Sequence, residues 1–387
     1  MNIKRLLLCI AVLLLYQTSD ARQKSSVVHR AGVSVRPAWN QQLWDFYRGD
    51  NPSGQPIRMN SSVHLQYSFM FPEGSTLGDM YPSAYQGVGV APYTFFSHEA
   101  MGSPLTLYVF QGGSLARFGN RLSLDYEWNF GASFGWKTKT NYLTSTSVNA
   151  FIDAGLMLTW KPVPQWSFSV GADVFHFSNG SVRIPNAGLN CLGTRVSATR
   201  VFGVDRLPPD RRPVRRDEDG RKFMKNLDLD VVIFGTAKQV QVIRNDKWLD
   251  LDGTYAVAGF NLNPMYQFNR LFRAGISYDF QYDGSANHGN YILEVRDGVA
   301  YAGKPPRSTQ VSAGLSVRAE FVMPIFSLNI GAGYKVMYKI KDQGGHYLLI
   351  ALKTWLTDNL FLHTGYMFRG LYSPEHLMLG LGWSFGR

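Results

Sequence analysis

Two side chains in this sequence have the types and the spacing for nucleophilic catalysis: His176 and Ser178, separated by Phe177. A hydroxyl becomes a useful nucleophile when an imidazole beside it takes its proton. Residues i and i+2 of a strand project side by side from one face, so this spacing suits a strand. Asn179, Gly180 and Ser181 follow directly and open a turn. Amide groups and backbone N–H donors in such a turn can hold the oxyanion of a tetrahedral intermediate. A His and a Ser at the edge of a sheet are more often plain polar residues, so the elements that carry them decide how the pair is read.

Those elements alternate with period two. Trp166, Phe168, Val170, Ala172 and Val174 share the parity of His176 and Ser178, while Ser167, Ser169, Gly171 and Asp173 take the other. Side chains along a strand face opposite ways in turn, so one face here is apolar and the His–Ser pair sits at its end. Similar alternation runs from Leu122, from Val148, from Val311, from Phe326 and from Leu377. Several of these runs reach the nine to eleven residues, roughly, that cross a bilayer, and aromatics gather near their ends. The pattern predicts an all-β chain, a transmembrane antiparallel barrel of about sixteen strands, with fourteen also permitted, in preference to a soluble sandwich. Segments are expected to begin near His29, Ser61, Ala84, Pro104, Arg121, Thr146, Pro164 and Gly188, then near Asn226, Tyr255, Leu271, Ser308, Phe326, Tyr347, Leu360 and Glu375.

The composition agrees. The 387 residues are 45% hydrophobic and only 17% charged, yet the mean hydropathy is -0.14. Two faces of opposite character average to such values. Disorder requires fewer aromatics, and a helical membrane protein requires repeated runs of about 20 apolar residues. Lys4 and Arg5, the apolar run Leu6–Tyr16, and the small residues Ser19 and Ala21 form a secretion signal, predicted to be cleaved after residue 21. The mature chain, 22–387, is then exported and retains one cysteine, Cys191, whose parity points inward. The net charge of +11 suits anionic lipid, and export argues against nucleic acid as a partner. A periplasmic N-terminus places the long connections 40–60, 137–145 and 284–307 outside, and puts His176 and Ser178 at the outer leaflet. The Arg- and Pro-rich stretch 204–225 is expected to be a periplasmic linker. Asp125, Glu127, Asp153 and Asp173, with Arg195 and Arg318, are expected to form a polar network inside the barrel.

The string His176-Phe177-Ser178-Asn179-Gly180, with Asn186 downstream, resembles the signature of the PagL lipid A deacylases, which are outer-membrane barrel esterases. Local resemblance covers roughly residues 120–203. The whole chain also looks like the longer acyloxyacyl-hydrolase-type barrels of Bacteroidota, including the runs Tyr126-Glu127-Trp128 and Pro185-Asn186-Ala187-Gly188. The resemblance implies Ser178 as nucleophile, His176 as its base, Asn179 in the oxyanion hole with Gly180 in the same turn, and Asn186 as a supporting residue. It implies removal of the ester-linked acyl chain at the 3-position of lipid A, in the outer leaflet of a Gram-negative bacterium, without a metal or other cofactor. The second half of the chain has no counterpart in the small eight-stranded family members. The family's acidic triad member would fall at Asn190. An amide can orient an imidazole but cannot balance its charge. Asn190 orienting His176, a carboxylate supplied from elsewhere, or an impaired enzyme are all compatible with the sequence. The alternatives of another class are a non-catalytic barrel, serving as channel, transporter or scaffold, and an outer-membrane phospholipase. A sixteen-strand barrel would be wide enough for a channel.

Overall fold

A computed structural model describes residues 27–72, 74–138, 145–204, 226–340, 343–370 and 373–386. The expected signal peptide and most of the 204–225 linker lie outside these residues. The first half folds as β1 (Val28–Asn40), β2 (Met59–Met70), β3 (Tyr85–Thr94), β4 (Gly102–Phe118), β5 (Leu122–Trp136), β6 (Val148–Val163), β7 (Trp166–Ser178) and β8 (Leu189–Phe202). The second half contains β9 (Leu227–Lys238), β10 (Gln241–Arg244), β11 (Lys247–Leu251), β12 (Tyr255–Asn269), β13 (Phe272–Asp283), β14 (Ile292–Arg296) and β15 (Val299–Ala302). It continues with β16 (Val311–Val322), β17 (Phe326–Met337), β18 (Gly345–Trp355), β19 (Leu360–Arg369) and β20 (Ser373–Phe385).

Sixteen of these strands are barrel staves, and they start within a few residues of the expected positions. They do not close as one ring. β1 pairs with β8, from His29 against Phe202 to Asn40 against Cys191, and shuts a barrel of eight. β9 pairs with β20, with Leu229 against Phe385 and Gly235 against Leu379, and shuts a second barrel of eight. The remaining four form a small sheet in the order β10-β11-β15-β14, built from the connections at the end of the second barrel that also carries Asn40 and Ser178 in the first. That end is called outer below.

The closure follows from what the strands enclose. Eight staves leave an interior just wide enough for side chains to fill. In the first barrel Arg36 and Arg195 are buried with Glu127, Asp153 and Asp173, at 2.7 Å from Arg36 to Asp153 and 2.7 Å from Arg195 to Glu127. Above them Tyr93, Phe95, Trp136, Phe151, Phe175 and Phe177 pack into an aromatic plug. In the second barrel Arg273 and Lys353 neutralise Asp230 and Glu320. Arg318, expected in one network with Arg195, belongs to this second lumen, where it pairs with Asp279 at 2.6 Å. Buried charges demand partners, so each set recruits its own counter-ions from strands across its own ring. The channel width that sixteen staves in one ring would provide is therefore not formed.

Outward residues are apolar along the staves: Val170, Val174 and Val196 on one barrel, Ile233, Val317 and Leu381 on the other are more than two-fifths exposed. An apolar outer belt on closed antiparallel staves makes this a transmembrane β-barrel protein. Trp160, Trp166 and Phe168 stack at the inner end, as interfacial aromatics do. The barrels touch at both ends. At the inner end Tyr81 donates to the Arg270 carbonyl, and Trp128 packs edge-on against Phe326 at 5.0 Å.

Candidate active site

β7 runs outward with Val170, Ala172 and Val174 facing lipid and Asp173, Phe175 and Phe177 facing in. Its inward side is clamped: Phe175 and Phe177 are part of the aromatic plug, and Phe177 is fully buried. A strand with every second side chain fixed in that way cannot rotate, so His176 and Ser178 are held on the outer face. Both are partly buried there, opposite Ile152 and Ala150 of β6.

Asn190 stands directly across from His176 on β8. His176 Nδ1 and Asn190 Oδ1 are 2.6 Å apart. Asn190 Nδ2 in turn donates to Gln41 Oε1 at 3.1 Å, which turns Oδ1 toward the imidazole. A carbonyl oxygen can only accept, so Nδ1 carries the proton and Nε2 presents its lone pair. Gln41 is also fixed by its backbone, whose N–H donates to the Asn190 carbonyl at 2.9 Å. Gln41 was not singled out in the sequence; it reaches the site only because β1 closes onto β8. Reversing both amides would satisfy the same contacts with the proton on Nε2, the unproductive tautomer. A carboxylate at this position would have no such alternative.

Gly188 closes the far side of the imidazole. It has φ +67°, and a Cβ built on it would lie 2.9 Å from His176 Cε1 and 3.4 Å from Nε2. The β7–β8 register, carried one step past Phe177 and Leu189, sets Gly188 opposite Ser178. The Nε2 edge of the ring thus faces the level of Ser178. No hydrogen bond joins Ser178 to His176 among the described residues; resting geometry of this kind tightens only around substrate in many hydrolases.

The loop beyond β7 is held from within. Asn179 donates its backbone N–H to Asn186 Oδ1 at 3.1 Å, and its Nδ2 to Ser145 Oγ at 3.2 Å and the Arg183 carbonyl at 2.8 Å. Its donors are thereby engaged, and Asn186 has a defined part in pinning the turn. Gly180 and Ser181 both adopt left-handed φ, at 68° and 63°. Among the described residues the Gly180 N–H has no hydrogen-bond acceptor. Cys191 is buried inward between Asn40 and Asn60, as its parity predicts. Asp125, Glu127, Asp153 and Asp173 lie in the lumen and do not meet His176. A groove of about 630 Å³ runs over the outer face between Trp39, Ile152, Val174 and Leu192 and ends at His176 and Asn190. Among the described residues no three His, Cys, Asp or Glu side chains come together as metal ligands do.

Residues 227–387 match the family model described as acyloxyacyl hydrolase, C-terminal domain. The matched segment is the second barrel, the half that the sequence resemblance had left without a counterpart. No curated protein matches the chain. Among solved structures, the outer membrane enzyme PagL is similar at 16% identity, over 43% of this chain and 97% of that one, with a TM-score of 0.30. The siderophore receptor PirA from Pseudomonas aeruginosa is similar at 9% identity, over 94% of this chain and 81% of that one, with a TM-score of 0.29. The second barrel is thus the part of this chain that is similar to the acyloxyacyl hydrolase C-terminal domain.

Proposed function

We propose that the first barrel is a serine esterase of the bacterial outer membrane that removes an ester-linked acyl chain, the 3-O-acyl chain, from lipid A. The observation that carries this reading is the His176–Asn190 pair on the lipid-facing end of β7, beside Ser178 and at the mouth of an apolar groove. Polar side chains on the lipid face of a barrel are costly near mid-depth and cheaper at the interface, where an ester of a membrane lipid is found.

Ser178 Oγ attacks the acyl carbonyl carbon while His176 Nε2 takes the hydroxyl proton. The carbonyl oxygen becomes an oxyanion, stabilised by the Gly180 N–H in the turn that Asn179 and Asn186 hold. Collapse of the intermediate expels the sugar hydroxyl, which takes the proton back from His176. Water then repeats the sequence on the acyl-serine, releasing the fatty acid and restoring Ser178. Asn190 holds the imidazole in the required tautomer, and no metal enters any of these steps.

Mass spectrometry of lipid A from cells making the wild type or Ser178→Ala tests the reading. Wild-type cells should lose one ester-linked acyl chain, and Ser178→Ala cells should keep it while the protein remains folded in the membrane. Identical acylation in the two would overturn the assignment. Loss of a chain from glycerophospholipid instead of lipid A would assign the site to a phospholipase.

A further inference from the structure

The loop that follows Ser178 is secured by the other barrel. Ser181 sits in left-handed backbone, a costly conformation for a residue with a side chain, and it persists where surrounding contacts over-determine it. Both of its free polar groups go to the second barrel. Its carbonyl accepts from the Gln239 backbone N–H at 3.3 Å, and its hydroxyl lies 3.1 Å from the Tyr366 hydroxyl. Gln239 Oε1 also accepts from the Ile184 N–H at 3.1 Å. Gly180 is packed against the same wall: a Cβ there would stand 3.6 Å from Leu377 and 3.7 Å from the Tyr366 ring.

Gln239 follows β9 directly, Tyr366 is near the outer end of β19, and Leu377 is on β20. These three strands are neighbours across the closing seam of the second barrel. One continuous patch of that barrel therefore grips both arms of the turn that carries Gly180. We infer that the second barrel is a positioning partner of the esterase site, with Gln239 and Tyr366 setting the turn that aims the Gly180 amide at the oxyanion. The inference rests on the reading of Ser178 and His176 as an ester-cleaving pair. It gives the second barrel a part in catalysis although it touches no reacting atom. An oxyanion donor displaced by about 1 Å can cost on the order of a hundredfold in rate, so a brace of this kind acts on turnover more than on binding.

The experiment uses the full chain in detergent-lipid micelles with purified lipid A, comparing wild type, Gln239→Ala, Gln239→Glu and Tyr366→Phe. Gln239→Ala should lower kcat by about ten- to a hundredfold with KM within about twofold. Gln239→Glu, which keeps an acceptor for Ile184, should recover most of that loss, and Tyr366→Phe should lower kcat less than Gln239→Ala does. Hydrogen exchange at the Ile184 amide should accelerate in Gln239→Ala and return toward wild type in Gln239→Glu. Values of kcat within twofold of wild type in both Gln239→Ala and Tyr366→Phe would overturn the inference. So would a Gln239→Glu variant as slow as Gln239→Ala. A wild type that cleaves no ester overturns the site reading and this inference with it, and is distinguishable because the deficit precedes any substitution.

Discussion

The two barrels use the same staves and differ in what fills their outer halves. Both lumens hold buried charges, Arg36 and Arg195 about midway along the staves of one, Arg273 and Lys353 near the inner end of the other. In the first, aromatic rings replace charge toward the outer end, under His176 and Ser178. In the second, ion pairs continue upward, from Arg318 with Asp279 to Lys238 with Asp283 and Lys335 with Glu375, beside a smaller cluster of Phe234, Tyr347, Leu349, Met367 and Met378. Rings packed at interior density fix a backbone in one arrangement, and a site that must hold two outward side chains in line needs that fixity. The second barrel meets the first through its rim, where Gln239 and Tyr366 hold the turn after Ser178. A stable barrel is thus common to both halves, while among the described residues the larger aromatic plug lies in the first, beneath His176 and Ser178.

The sharpest way to break this contrast is to damage each interior equally. Phe177→Ala removes a fully buried ring and should cost about 3–5 kcal/mol of stability. Lys353→Met leaves Asp230 and Glu320 short of a cation and should cost a similar amount. Urea unfolding should show comparable losses, but ester hydrolysis per folded molecule should collapse only in Phe177→Ala. Equal activity losses would dissolve the distinction. Next in size, Asn190→Asp should raise kcat by roughly ten- to a hundredfold, since a carboxylate fixes one tautomer and stabilises the imidazolium. A smaller loss is expected for Gly188→Ala, whose left-handed backbone costs about 1–2 kcal/mol and whose methyl would press on His176. Its signature is a fall in turnover larger than the shift in the urea midpoint would explain. Gln41→Leu removes one neutral hydrogen bond from Asn190 and should slow turnover only about two- to tenfold, measured by the same assay.

Much of this molecule was legible as alternation. The parity of Ser167 through Val174 placed each side chain in or out, and the sixteen stave positions followed from the same rule applied along the chain. Alternation carries no information on which strand closes which. One ring of sixteen and two rings of eight have the same local pattern, because the closing pairs, Asn40 with Cys191 and Gly235 with Leu379, are remote in sequence. The site inherits that blindness. His176 and Asn190 lie on adjacent strands and could be paired from parity, whereas Gln41 comes beside Asn190 only through the β1–β8 seam. Arg318 was assigned to the wrong lumen for the same reason. The short strands β10, β11, β14 and β15 escaped notice because they sit outside the apolar belt, where no membrane imposes a period over nine or more residues.

The two seams also bear on how such a chain is made. Every hydrogen bond that shuts the first ring is available once Phe202 has emerged, and none awaits a residue of the second half. A single large ring would leave one edge of β1 unpaired until the final strand arrived. Bringing distant chain ends together grows costlier with separation, and exposed edges invite mispairing with other chains. Two seams halve that interval and allow insertion in two successive closures, the half bearing Ser178 first.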